Sequence, residues 1–305
     1  MDNEMQSIEI DKLLAKTEAF INTMYYIKDD FSLLPEKEHI GTCINYLDLQ
    51  EMRDEFIEEM VSTVVEYVYS RDKQIKLTQT FAKEGREASA AYEKLSMRAK
   101  KKFRKGFLKG QFSELLLFNL LQHHFKAAPL LRKMRITTNP NLERNGADAF
   151  HISKKNGKYI IYLGEAKTYN RQKYSLKTAL DEAILSILEH YNNHRSELDL
   201  YLYEDFIPNE LEQIAEDYKN GTLNDIEIHL VCMIAYDNKK QIYGSNKDEL
   251  LAAEIASIRE ETNTIKKDIF KKKIPSNLLP RFNYVIFPIK EMEALINSFQ
   301  KYLGG

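Results

Sequence analysis

Apolar residues recur along the chain at spacings that predict an alternation of helices and strands. An apolar spacing of four over residues 48–68, and a stretch rich in Ala, Glu, Lys and Arg over residues 77–105, predict helices in the N-terminal part. Residues 112–125 are apolar nearly all round, which predicts a buried helix. Strands are predicted at residues 40–47, 133–138, 225–236 and 282–289, and further helices are expected at 176–193, 247–272 and 290–303.

The order of these elements indicates an α/β fold with a mixed sheet. From residue 112 onward the chain reads helix, three strands, helix, strand, and then further elements. No internal repeat and no linker rich in Pro, Gly or Ser divides it, so one α/β domain with a helical N-terminal part is the simplest architecture. We assign residues 1–105 to a mainly helical region that offers a possible partner interface. Residues 106–305 form the core, with a C-terminal strand and helices.

The second and third of the three strands are predicted to form a hairpin over residues 146–167, because Asn156-Gly157 is a strong signal for a two-residue turn. If these two residues form the loop, Lys155 lies opposite Lys158, and the same register places Asp148 opposite Glu165. Side chains alternate between the faces of a strand, so Asp148, Glu165 and Lys167 are expected on one face.

Asp148 and Glu165 are the first candidates for chemistry. Cross-strand Cβ atoms lie about 5 Å apart, so two facing carboxylates repel unless a positive group lies between them. A divalent metal ion and the Lys167 ammonium both meet that need. Mg²⁺ prefers oxygen ligands, so we expect Mg²⁺, with Mn²⁺ as a substitute, on Asp148, Glu165 and the backbone carbonyl of Ala166. Glu114, on the buried helix, is a candidate for a second metal or for a hydrogen bond to the site.

A solvated charge cluster on an ordinary hairpin is the alternative to this site. The strand that leads into Glu165 is apolar on both faces over residues 159–163, which indicates a central strand. Charges that follow a buried strand abruptly favour a functional site. A metal held by carboxylates suits phosphodiester hydrolysis, with Lys167 able to orient the attacking water or to stabilise the transition state.

The composition of the chain limits its possible binding partners, its use of disulfides and its cellular location. The net charge of -2 across 305 residues does not by itself indicate nucleic-acid binding, so such a role depends on local basic patches. Two cysteines, Cys43 and Cys232, exclude a disulfide framework and fit a reducing compartment. The acidic N-terminus lacks the pattern of a signal peptide and no apolar run is long enough to span a bilayer, so we expect a cytoplasmic protein.

The candidate residues also resemble a known family. Glu114 on a helix, then Asp148, then Glu165-Ala166-Lys167, in the order αβββαβ, resemble the PD-(D/E)xK nuclease superfamily, with Gly146-Ala147-Asp148 in place of its Pro-Asp. Within it, GQFSELLLFNLL, NGADAFHIS and YLGEAKTY resemble the HamA family, the nuclease subunits of the Hachiman antiphage defence system. The resemblance implies a restriction-endonuclease-like core, metal-dependent DNA cleavage with little sequence specificity, and control by a partner helicase of superfamily 2, similar to HamB.

Basic and aromatic residues near these motifs are candidates for DNA contact. Positive side chains displace counterions from a phosphate backbone, and aromatic faces stack on bases. A solvated helix face and an ordinary polar loop are the alternatives. The candidate contacts are Lys101, Lys102, Arg104, Lys105, Tyr169, Arg171 and Lys173.

Other features of the sequence carry less weight. His190 and His194 are four residues apart at a polar helix end, without an acidic third ligand in a known spacing, so a solvated pair is expected. The chain lacks the GxxxxGK[ST] phosphate loop, so any ATP-driven unwinding requires another subunit. Two further functions stay open: a nuclease-like module that binds DNA ends or regulates a helicase with little catalysis, and a free-standing restriction-type endonuclease.

Overall fold

A mixed seven-stranded sheet organises the fold. The computed structural model describes residues 9–103, 108–132, 147–169, 175–202 and 207–304. The strands are β1 (Met24–Asp29), β2 (His39–Ile44), β3 (Tyr46–Leu47), β4 (Gln50–Glu51), β5 (Ala128–Leu131), β6 (Ala149–Lys155), β7 (Lys158–Tyr169), β8 (Ile226–Asp237) and β9 (Phe282–Ile289). In the large sheet they run in the order β1-β2-β9-β8-β7-β6-β5, and β3 pairs with β4 in a separate small sheet.

Helices cover both faces of the large sheet. They are α1 (Glu18–Asn22), α2 (Arg53–Ser62), α3 (Val64–Val68), α4 (Arg71–Lys83), α5 (Ala88–Lys100), α6 (Leu108–Phe125), α7 (Leu176–Asp199), α8 (Glu212–Asn220), α9 (Lys247–Asn263), α10 (Asp268–Lys273) and α11 (Met292–Tyr302). One core contains α6 with α2, α3 and α11, and the other contains α7 and α8. The two cores explain why β8 and β9 are apolar on both faces: parallel strands in the middle of a sheet have no solvated side.

The α/β fold class with a mixed sheet is confirmed. The strands β2, β9, β8 and β7 are parallel to one another, whereas β1 pairs antiparallel with β2, β6 with β7 and β5 with β6. Helix α6, the strands β5, β6 and β7, helix α7 and then β8 follow the expected order, with α8 as an additional helix before β8. The strand predicted at residues 133–138 lies outside the described residues; the strand before the hairpin that the structure describes is β5.

The β6–β7 hairpin has the predicted register. Lys155 pairs with Lys158, and the ladder continues to Ala149 opposite Gly164. Asn156 and Gly157 both have positive φ, 53° and 82°, as a type I′ turn requires. The turn therefore sets which residues meet at the other end of the hairpin.

The N-terminal part adds two strands to the large sheet beside its helices. Its strand β2 pairs parallel with β9, at Ile40 opposite Val285, and β1 adds an outer strand. Residues on both sides of position 105 thus supply strands to one sheet; the division at 105 stays a prediction about function. The helix expected over residues 77–105 is instead two helices, α4 and α5, because the chain turns at Gly85, whose φ is +83°.

Candidate active site

The end of the β6–β7 hairpin brings two carboxylates together. Asp148 lies one residue before β6, and the pair Ala149–Gly164 places it next to Glu165 of β7. The Ala166 N–H donates a hydrogen bond of 2.9 Å to Asp148 Oδ2. Glu165 itself is buried, with 3% of its surface exposed. A charged side chain at that depth needs compensation from neighbouring groups.

Lys167 provides part of that compensation. Its Nζ lies 2.7 Å from Glu165 Oε1, which also accepts a 2.9 Å hydrogen bond from Ser186 Oγ on α7. Burial alone would lower the pKa of Lys167, but the carboxylates of Glu165 and Asp148 outweigh it and raise the pKa. The other oxygen, Glu165 Oε2, is buried and has no hydrogen-bond partner among the described residues.

Burial and the neighbouring negative charges change the pKa of Asp148. Burial, and then the charges of Glu165 and Glu114, raise its pKa well above the ordinary value. Glu114 lies on α6, where its Oε2 accepts a hydrogen bond of 2.8 Å from the Tyr67 hydroxyl. The described side chains thus concentrate carboxylates at one point and supply Lys167 as the nearby cation, an arrangement that favours binding of a further cation.

The oxygen atoms at the hairpin end are of the kind that Mg²⁺ prefers. Asp148 and Glu165 provide carboxylates, and the buried Glu165 Oε2 has lone pairs that no described donor uses. The N–H and C=O of one strand residue point to the same side, so the Ala166 carbonyl lies on the side of β7 on which its N–H meets Asp148. Among the described residues no three His, Cys, Asp or Glu side chains are arranged to hold a metal ion without further ligands. Two carboxylates and one carbonyl are nevertheless enough for an ion that keeps several waters.

Comparison with known families identifies one family for the whole chain. The model of the family described as HamA matches residues 18–303, nearly the whole chain. The chain belongs to the HamA family. No curated protein matches the sequence. Membership of the HamA family supports the assignment of this chain as a component of the Hachiman defence system. Within the described ranges, no helix is long and apolar enough to cross a membrane.

Helix α7 contributes polar residues to the site of this HamA-family chain that the sequence did not indicate. Ser186 binds Glu165, and His190 Nε2 lies 3.7 Å from Glu165 Oε2. On the other side of the ring, His190 Nδ1 lies 2.8 Å from Glu197 Oε1. Glu197 Oε2 accepts a hydrogen bond of 3.1 Å from the Ala147 N–H, next to Asp148. A polar stripe on α7 therefore connects both strands of the hairpin end.

The expectation of a solvated pair at His190 and His194 is wrong. His190 faces the candidate site, whereas the His194 ring stacks on Tyr218 of α8. The sequence does contain a signal for this stripe of polar residues. Polar side chains recur at spacings of four and seven residues, at Ser186, His190 and Glu197, on a helix that otherwise buries apolar side chains.

The candidate DNA contacts divide into described and undescribed residues. Lys101 and Lys102 follow α5, and the next residue is Phe103. The centroid of the Phe103 ring lies 6.0 Å from that of the Tyr67 ring, and the Tyr67 hydroxyl donates a hydrogen bond to Glu114. The basic segment therefore begins near α6 and the site. The remaining basic candidates lie outside the described residues: Arg104, Lys105, Arg171 and Lys173.

Tyr169 does not offer the expected stacking surface. It is 9% exposed, and its ring belongs to the core on the α7 side of the sheet. Its hydroxyl donates a hydrogen bond to Glu182 of α7. A ring that stacks on a base needs one face open to solvent. The structure buries the Tyr169 ring, and the DNA contact assigned to this residue stays a prediction. Tyr169 instead fixes the end of β7 against α7.

Proposed function

We propose that this HamA-family chain is a Mg²⁺-dependent deoxyribonuclease, the effector subunit of a Hachiman antiphage defence complex. It hydrolyses phosphodiester bonds with little sequence specificity, under the control of a HamB-like helicase subunit of superfamily 2. One observation carries this proposal. Asp148 and the buried Glu165 meet at the end of a hairpin with the Lys167 ammonium 2.7 Å from Glu165 Oε1.

Each residue of the site has a role that its surroundings support. Asp148 and Glu165, with the Ala166 carbonyl, hold the ion. When bound, a divalent metal supplies positive charge against the charge that builds at phosphorus and makes a water more acidic. Lys167, already paired with Glu165, orients the attacking water and stabilises the transition state. Glu114 assists from α6, where its charge reaches Asp148.

The partner and the DNA path are supported by the sequence and by the position of α5. The chain has no phosphate loop of its own, so unwinding and ATP hydrolysis belong to another subunit. Lys101 and Lys102 lead from the exposed end of α5 toward the Glu114 helix. We infer that this basic segment holds a phosphate backbone beside the site, through contacts that do not depend on sequence.

The test is cleavage of supercoiled plasmid by the purified chain, with and without the helicase partner, in Mg²⁺ or in EDTA. Wild-type protein is expected to nick or degrade the plasmid only in Mg²⁺. Glu165→Gln and Lys167→Met keep the side-chain size and are expected to reduce cleavage by at least about 100-fold, in line with the loss of a transition-state contact.

Matched controls are available on β7 and on the neighbouring strand β8. Lys158→Met and Glu227→Gln remove a partly exposed ion pair, 3.5 Å long, far from Asp148, and should leave cleavage unchanged. Metal-independent cutting, or no cutting by wild-type protein with its partner present, would contradict the proposal; the second result would favour a DNA-binding or helicase-regulating module. Discrete fragments would instead indicate a free-standing restriction-type enzyme.

A further inference from the structure

His190 lies between two carboxylates at the edge of the candidate site. Its Nδ1 is 2.8 Å from Glu197 Oε1, and its Nε2 is 3.7 Å from Glu165 Oε2. Only the first distance is a hydrogen bond; the second is too long for one. Ser186 Oγ is 3.5 Å from Nε2, but it gives its proton to Glu165 Oε1 at 2.9 Å.

The Glu197 contact orients the ring. A carboxylate oxygen accepts hydrogen bonds, so the His190 nitrogen at 2.8 Å carries the hydrogen, and in the neutral ring that binds a metal the Nε2 lone pair is directed toward Glu165 Oε2. Glu197 is itself held by the Ala147 N–H. Histidines that bind a metal through one ring nitrogen usually donate the N–H of the other ring nitrogen to a carboxylate, which fixes the orientation of the ring.

The space between Nε2 and Glu165 Oε2 has the size of a metal bridge. Glu165 is 3% exposed, and its Oε2 has no hydrogen-bond partner in the described part of the chain. Metal–ligand bonds of about 2.0–2.2 Å place two ligand atoms of one ion roughly 3 to 3.6 Å apart. The observed 3.7 Å is within a few tenths of an ångström of that range.

We propose that His190 Nε2 is a ligand of the divalent ion that Glu165 Oε2 binds, and that Glu197 holds His190 in place. The inference rests on the proposed metal-dependent function and specifies the class of ion. Imidazole nitrogen favours first-row transition metals, whereas Mg²⁺ prefers oxygen. The site should therefore bind Mn²⁺ more tightly than Mg²⁺.

Nitrogen ligation is directly observable with Mn²⁺ as the probe. Pulsed electron paramagnetic resonance of the full chain with less than one equivalent of Mn²⁺ should show ¹⁴N hyperfine modulation from a bound imidazole. His190→Gln should abolish the modulation, and the matched variant His194→Gln, one turn along α7, should retain it. Wild-type protein that binds Mn²⁺ without ¹⁴N modulation, or modulation that persists in His190→Gln, would overturn the proposal.

Titrations provide a second measurement that does not depend on cleavage. His190→Gln should weaken Mn²⁺ binding about 10- to 100-fold and leave Mg²⁺ binding within about threefold. Glu197→Gln retains His190, so it should keep the ¹⁴N modulation but weaken Mn²⁺ about 10-fold or more. Equal losses for Mn²⁺ and Mg²⁺ in His190→Gln would indicate a structural role and contradict ligation. Circular dichroism of both variants confirms that they are folded.

The outcome is separable from that of the proposed function. If Mn²⁺ binds without nitrogen and the complex still cuts DNA, the His190 assignment fails and the nuclease function stands. If nitrogen ligation is present but the complex never cuts DNA in any divalent ion, the ligand assignment stands and the nuclease function fails.

Discussion

Replacement of Asp148 by asparagine should stabilise the metal-free protein. Burial and the charges of Glu165 and Glu114 raise the pKa of Asp148 well above 3.8. The folded protein therefore holds this proton more tightly than the unfolded chain does. The contribution of Asp148 to the free energy of unfolding is therefore most favourable below pH 3.8. It is lost as the pH rises through the raised pKa of the folded state. At neutral pH the ionised group destabilises the fold.

The size of the effect follows from the hairpin geometry. Two charges about 5 Å apart repel by roughly 3 kcal/mol at an effective dielectric constant of about 20. Lys167 offsets part of this repulsion, and Asp148 is only partly buried, so we expect about 1–2 kcal/mol for Asp148→Asn. The amide oxygen can still accept the hydrogen bond from the Ala166 N–H. For a chain of 305 residues the melting temperature should rise by about 2–3 °C.

Thermal unfolding with and without divalent ions provides the assay. At a Mg²⁺ or Mn²⁺ concentration of 100 times Kd, binding should stabilise the wild-type protein by about 2.7 kcal/mol, and a variant whose Kd is about 100-fold weaker by only about 0.4 kcal/mol. Asp225→Asn, at an exposed position before β8, is the matched control and should behave like wild type. A less stable metal-free Asp148→Asn, or one with the full metal response, would refute the reasoning.

Three further predictions concern packing, the turn and pH. Gly164→Ala would place a Cβ atom 2.8 Å from Leu117 Cδ2 and 2.9 Å from the Ala149 Cβ, so overpacking should cost about 1–3 kcal/mol in urea denaturation; an unchanged midpoint would contradict the close packing of α6 on the hairpin. Gly157→Ala, in open space at φ +82°, should cost about 1–2 kcal/mol from backbone strain alone and should leave cleavage intact, and a larger loss would indicate a different turn. The Mg²⁺ concentration for half-maximal cleavage should rise as the pH falls toward the raised pKa of Asp148, because the ion must then displace a proton; a pH-independent requirement would count against Asp148 as a ligand.

The sequence predicted the hairpin well because its information is local. Asn156 and Gly157 are adjacent and both suit positive φ, so the turn and the meeting of Asp148 with Glu165 follow by counting. The burial of α6 was likewise predictable, since apolar residues cover all its sides. Lys167 was predictable as a neighbour because side chains two residues apart on a strand share a face.

Contacts between distant elements were not accessible in the same way. His190 reaches Glu165 only because α7 packs across β7 and β8, and no local pattern states which face of a polar helix end meets the sheet. Tyr169 reads as a loop aromatic in the sequence, but the continuation of β7 alongside β8 as far as Tyr236 carries it into the core. The pairing of β2 with β9 joins residues about 245 positions apart, which a pass along the chain does not reveal.

Plasmid cleavage by the double variant Glu165→Gln/Lys167→Met, purified with the partner helicase, is the decisive measurement for the nuclease site. We expect a folded protein that binds its partner and DNA but shows no cleavage in Mg²⁺ above the EDTA background, while the wild-type complex cuts. Metal-dependent cleavage by the double variant at a rate near that of wild type would contradict the assignment of the hairpin end as the nuclease site.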